Sequence, residues 1–155
     1  MKNTLMILTA LVIVIFSFGT VWSHCEIPCG IYDDQMRIHL ITEHINTIEK
    51  SMNEVVRLQQ AEPKNYNQLV RWIFNKEDHA NRLQEIVTQY FLTQRIKIDD
   101  DHYAEKLILL HKMLVYAMRC KQTLDLSHIE ALRNQLKSFS TLYFENDRPQ
   151  KSGKN

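Results

Sequence analysis

Beyond Tyr32 the apolar residues Ile41, Ile45, Ile48, Met52 and Val55 follow one another at intervals of four and three, the spacing of a single helical face turned toward a core. A strand cannot use that pattern, because its faces alternate at every residue. Three glycines and three prolines punctuate all 155 residues, too few for a turn-rich β fold. The chain is therefore expected to be all-α.

The same period continues downstream. Asp33 or Asp34 can cap the first helix, which runs to about Gln60 with Pro63 at or just beyond its end. A second helix is predicted from about Tyr66 to Arg95, with Leu69, Ile73, Ala80, Leu83, Val87 and Tyr90 on its seam. Lys76 interrupts that seam and is expected to turn its long side chain out of the core. Asp99, Asp100 and Asp101 suit the positive end of a third helix, about His102 to Lys121, whose seam reads Tyr103, Leu107, Leu110, Leu114 and Ala117. They lack the glycine and spaced acids of a calcium loop. Ser127 and Glu130 have the spacing of a capping box before Ile129, Leu132, Leu136, Phe139 and Tyr143. Four helices joined by short connections imply an antiparallel four-helix bundle over residues 33–144, with an extended hook before it and a polar tail, 145–155, after it.

The net charge of +1 includes Lys2, so without the first residues the body is neutral and offers nucleic acid no basic face. Bundles can hold metals internally through Glu-x-x-His pairs, and this sequence contains none. His39, His44, His79, His102, His111 and His128 are scattered without ligand spacing. Residues 1–23 have the form of a cleaved secretory signal: Lys2, an apolar run from Leu5 to Phe16, and Ser23 at the cut. The other reading is an uncleaved anchor, although the apolar run is shorter than the ~20 residues of a membrane span. Both readings put the body outside the cytoplasm, in a periplasmic or extracellular setting.

Two of the three cysteines lie in the stretch His24-Cys25-Glu26-Ile27-Pro28-Cys29-Gly30-Ile31-Tyr32. In an exported protein such a pair can close a disulfide loop. It can also bind metal. Cleavage after Ser23 gives His24 a free α-amine beside its imidazole, Cys25 adds a thiolate and a deprotonated amide nitrogen, and Cys29 adds a second thiolate. Two nitrogens and two sulfurs in a plane, with the imidazole approaching along the axis, suit nickel(II) or copper(II), whereas zinc prefers a tetrahedron. Strong thiolate and amide donors favour a higher oxidation state, which fits one-electron chemistry on a small oxygen species. The third cysteine, Cys120, is expected to be a buried small hydrophobe.

The run His-Cys-x-x-Pro-Cys-Gly-x-Tyr from His24 to Tyr32 resembles the nickel hook of nickel-dependent superoxide dismutases. The resemblance implies a four-helix fold, one nickel ion per subunit, a Ni(II)/Ni(III) cycle converting superoxide to oxygen and hydrogen peroxide, and a homohexamer whose subunits help cover each hook. It further implies that His24, Cys25 and Cys29 bind the metal and that Tyr32 stands over its open face. Tyr90, in Gln89-Tyr90-Phe91, is the match for a second tyrosine near the site. Family members hold the histidine ring with an acid and an arginine; here His39 stands near the acid's place with Glu43 one turn on, and Asp78 or His79 falls in the arginine's region. Two other functions fit the residues: an exported nickel- or copper-binding module without turnover, and a structural bundle with a Cys25–Cys29 disulfide.

Overall fold

The computed structural model describes residues 30–145, so the leader, His24, Cys25, Cys29 and the tail beyond Glu145 lie outside the described residues. Helix α1 spans Asp34–Gln60, α2 spans Tyr66–Glu85 and continues as a π-helical segment over Ile86–Arg95, α3 spans Tyr103–Gln122, and α4 spans Ser127–Glu145. No strand occurs among the described residues. Cross-helix bonds give the directions. Asn75 donates to Ser51 (2.9 Å) and His44 meets His79 (3.0 Å), so α2 runs antiparallel to α1. Gln84 donates to the Leu114 carbonyl and Lys76 to that of Lys121, which sets α3 against α2. Arg133 on α4 meets Asn46 and Glu49 on α1, while Tyr143 reaches Asp34. The result is an up-down-up-down bundle.

The predicted seam of α1 is the buried one: Ile41, Ile45, Ile48 and Met52 are fully enclosed and Val55 nearly so. Asp33 caps the helix by accepting from the Met36 amide at 2.9 Å, and Asn65 does the same for α2 through the Gln68 amide at 3.1 Å. On α4 the predicted seam residues Ile129, Leu132, Leu136, Phe139 and Tyr143 are all buried. Its start departs from the expected Ser127–Glu130 box, because the side-chain acceptor is Asp125, which takes the Ser127 amide at 2.9 Å.

Two lysines account for further departures. Lys76 does not leave the core: it is buried and donates to the Lys121 carbonyl, closing one of the open acceptors at the end of α3. Along α3 the buried stripe is Lys106, Leu110, Met113, Ala117 and Cys120, whereas Tyr103, Leu107 and Leu114 of the predicted seam are only half-buried. Both stripes have the helical period. The choice between them was misdirected because the buried one begins with a charge. Lys106 lies over the Tyr143 ring, with its Nζ 3.4 Å from the Asp100 carboxylate. Asp100 therefore serves this lysine and the Lys97 amide, while the residue preceding α3 is His102, whose side chain makes no cap.

Phe91 knits the layers together. It is fully buried and meets Tyr90, Phe139 and Tyr143 edge-on, with ring centroids 5.1–5.6 Å apart. Replacing Phe91 by Ala is expected to lower unfolding free energy by about 3–5 kcal/mol. Denaturant unfolding checks this, and a loss below about 1 kcal/mol would refute the central packing role given to the ring.

Candidate metal centre

The last hook residues, Gly30 to Tyr32, are described and join α1 directly. Gly30 has φ +78°, a left-handed conformation that side chains with a Cβ adopt at a cost, although no atom lies within 4 Å of where that Cβ would stand. The requirement is thus one of backbone direction. Two residues later Tyr32, 40 % exposed, lies against the bundle end. Its ring meets Tyr90 edge-on at 5.9 Å, and the Arg95 guanidinium lies 4.4 Å from its centroid.

Behind Tyr32, one carboxylate gathers three side chains from two other segments. Arg95 donates Nε to Asp34 Oδ1 (2.8 Å) and a terminal nitrogen to Oδ2 (2.7 Å). Tyr90 donates its hydroxyl to Oδ1 at 2.6 Å, and Tyr143 donates to Oδ2 at 2.8 Å. Burial by itself would raise the Asp34 pKa, but the bonds from Arg95, Tyr90 and Tyr143 outweigh it and hold the carboxyl below its ordinary range. The phenols respond oppositely. Burial, reinforced by the adjacent carboxylate, pushes Tyr90 up to about 12 and also raises Tyr143.

The π-helical segment makes this convergence possible. In an α-helix, residues five apart point about 140° from each other. In a π-helix the backbone bonds close over five residues and the turn is wider, so such side chains point to the same side. The Ile96 amide accordingly donates to the Phe91 carbonyl at 2.9 Å, and Tyr90 and Arg95, also five apart, reach the same carboxylate.

The residue types of the stretch from His24 to Cys29, two cysteines and a histidine, fit nickel by their chemistry. Among the described residues no three His, Cys, Asp or Glu side chains come together as a metal site. Cys120 is buried and free, its thiol pushed up to about 11 by desolvation, so it stays protonated near neutrality.

A family model described as nickel-containing superoxide dismutase matches residues 19–147, which includes the hook and the whole bundle. The chain belongs to that family. No curated protein matches the chain, and no solved structure does. Membership makes the protein an oxidoreductase acting on superoxide with a nickel cofactor.

Of the residues weighed as supports for the histidine of this superoxide dismutase, His39 is exposed and meets Gln35 at 3.2 Å, and Glu43 is exposed. Asp78 pairs with Arg82 at 2.9 Å, while His79 faces His44, Nδ1 to Nδ1, at 3.0 Å. The acid–arginine pair that does stand at the hook's base is Asp34–Arg95. Sequence reasoning missed both members: Asp34 was one of two interchangeable caps, and Arg95 was the end of a helix. Tyr90 and Tyr143 were found, but as seam aromatics their hydroxyl partner was not apparent.

Since the folded Asp34 carboxyl ionises at lower pH than the unfolded one, its stabilisation is complete above the ordinary aspartate range near pH ~4 and is lost as pH falls through the folded value. At pH 7 the Asp34→Asn protein is expected to be less stable than the unsubstituted protein by about 2–4 kcal/mol, with the gap narrowing toward pH 3. Urea unfolding at the two pH values measures it. A gap of equal size at both would show that the carboxylate's charge is not what stabilises the cluster.

Proposed function

We propose that the mature protein dismutates superoxide at a nickel ion held by the amine and imidazole of His24, the amide nitrogen and thiolate of Cys25 and the thiolate of Cys29. The observation that supports this reading is the seat of the hook's end: Tyr32 rests on Tyr90 and Arg95, above a carboxylate already bound by four hydrogen bonds. When bound, nickel supplies a one-electron couple between its divalent and trivalent states, through which two superoxide anions and two protons become oxygen and hydrogen peroxide.

The chain's own groups then have separable duties. Tyr32 has no hydrogen-bond partner among the described residues, so its hydroxyl is available to order water or peroxide and to narrow access to the metal. Arg37 lies 4.9 Å from the Tyr90 ring centroid and adds positive potential where a small anion arrives. Export by the leader and cutting of the Ser23–His24 bond complete the ligand set, since the α-amine is otherwise held in a peptide bond. A protein carrying one extra residue before His24 is therefore expected to lose superoxide-consuming activity while its bundle folds normally. N-terminal mass, nickel content and superoxide decay are measured on the same sample. Full activity in the extended form would overturn the amine assignment, and stoichiometric nickel without activity in the correctly cut form would favour a metal-binding module.

Assembly into a homo-oligomer, a hexamer by family resemblance, is part of the same proposal. Tyr66, Val70 and Phe74 succeed one another along one face of α2 and are 69 %, 48 % and 69 % exposed, and Ile73, expected on the core seam, is exposed beside them. An apolar row left bare on a single subunit is the kind of surface that oligomer contacts cover. Phe74→Glu is expected to lower the molar mass found by light scattering without unfolding the helices. An unchanged mass would remove this face from the assembly.

A further inference from the structure

The structure assigns Asp34 and Arg95 a positioning role: with Tyr90 they form the rigid seat that fixes the Tyr32 ring, and with it the end of the hook, at one height over the bundle. This deepens the proposed function and rests on it for the consequence to turnover.

Tyr32 belongs to no regular element and precedes the first residue of α1, so nothing in the helix itself holds its ring. Two contacts do. The Arg95 guanidinium supports one face of the ring and Tyr90 meets it edge-on. Each of those contacts is aimed by Asp34. The bidentate fork fixes the guanidinium plane, and the Tyr90 hydroxyl is committed as a donor to the same carboxylate. That commitment divides the two tyrosines. While Tyr90 donates its hydroxyl hydrogen bond to Asp34 it can only accept from anything above it, whereas Tyr32 is able to donate. Tyr90 is thus a positioning residue and Tyr32 the one that faces the substrate.

The π-helical segment belongs to the same device, because it puts Tyr90 and Arg95 on the same side. The network is also anchored away from the hook. Tyr143 holds the other carboxylate oxygen from α4, and Arg95 and Tyr143 both line a polar cavity of about 360 Å³ with Lys97, Asp100 and Lys106. Asp34 is held between two other segments, with 13 % of its side chain exposed, so a shift of either is transmitted to Tyr32.

The test uses the mature chain with its hook, in nickel-free and nickel-loaded forms. In the nickel-free protein, ring resonances of Tyr32, identified with Tyr32→Phe, should be displaced from free tyrosine by the adjacent Tyr90 ring. Asp34→Asn and Arg95→Lys are each expected to move them to free-tyrosine values. Arg95→Lys keeps the charge and removes the fork, which makes it the second route if Asp34→Asn fails to fold. In the loaded protein both substitutions should leave nickel stoichiometry intact and lower the dismutation rate constant by about 10–100-fold, the size of effect seen when supports of a metal site are removed. Tyr32 resonances unchanged in both variants would overturn the seat. Displaced resonances with an unchanged rate constant would overturn its part in turnover. If the unsubstituted protein binds nickel but does not consume superoxide, the proposed function fails while the resonance measurement still decides the positioning role.

Discussion

One carboxylate sets the architecture at the functional end of the bundle. Desolvating Asp34 is unfavourable, and a charge there persists only because four hydrogen bonds from Arg95, Tyr90 and Tyr143 occupy both oxygens. Those donors come from the π-helical segment and α4, while the acceptor opens α1. Three chain segments must therefore meet at one point before the charge is satisfied, and the meeting point is the ground under Tyr32. Hydrophobic burial explains why the helices pack, but burial is non-directional and does not fix where their ends lie. The ionic cluster does, since its bonds depend on angle as well as distance.

The π-helical segment follows from that constraint. A uniform α-helix through Arg95 could present Tyr90 or Arg95 to Asp34, with the other turned well aside. Widening the helix brings both to the carboxylate, and local bonds from Thr93 to the Thr88 carbonyl and Gln94 to that of Gln89 accompany the wider turn. Phe91, next to Tyr90, continues to fill the core between Phe139 and Tyr143. The two neighbours divide the work of holding the segment in place: Phe91 by packing, Tyr90 by a directed hydrogen bond.

The elements legible in sequence were those governed by the hydrophobic period. Every apolar residue expected on the seams of α1 and α4 is buried, although the buried face of α1 also takes in His44 and Ser51. The reading failed where a buried position carries a charge. Lys76 and Lys106 both point inward, one satisfied by a helix-end carbonyl and the other by Asp100, and neither partner is visible from spacing along one helix. His44 likewise looked unattached until α2 brought His79 to it. The candidate hook is read in a different way: its histidine and two cysteines stand in one short run, and that reading depends on the run rather than on the fold. Asp34 and Arg95 are 61 residues apart, so no local pattern could join them.

That contrast separates two kinds of information in the chain. The nine residues from His24 to Tyr32 carry a histidine and two cysteines, and such groups this close in sequence can collect a metal ion with little help from a core. A surface fixed in space needs groups from distant parts of the chain, because ordering each residue costs conformational entropy that packed contacts must offset. The body provides that surface through groups distant in sequence, and it does so at the residue where hook and helix join. Gly30 turns the backbone, Asp33 starts the helix with its own cap, and Asp34 is left free to turn inward and bind Arg95. The adjacent acids Asp33 and Asp34 thus act in different directions, one capping α1 along the chain and the other tying its start to Arg95 across the bundle.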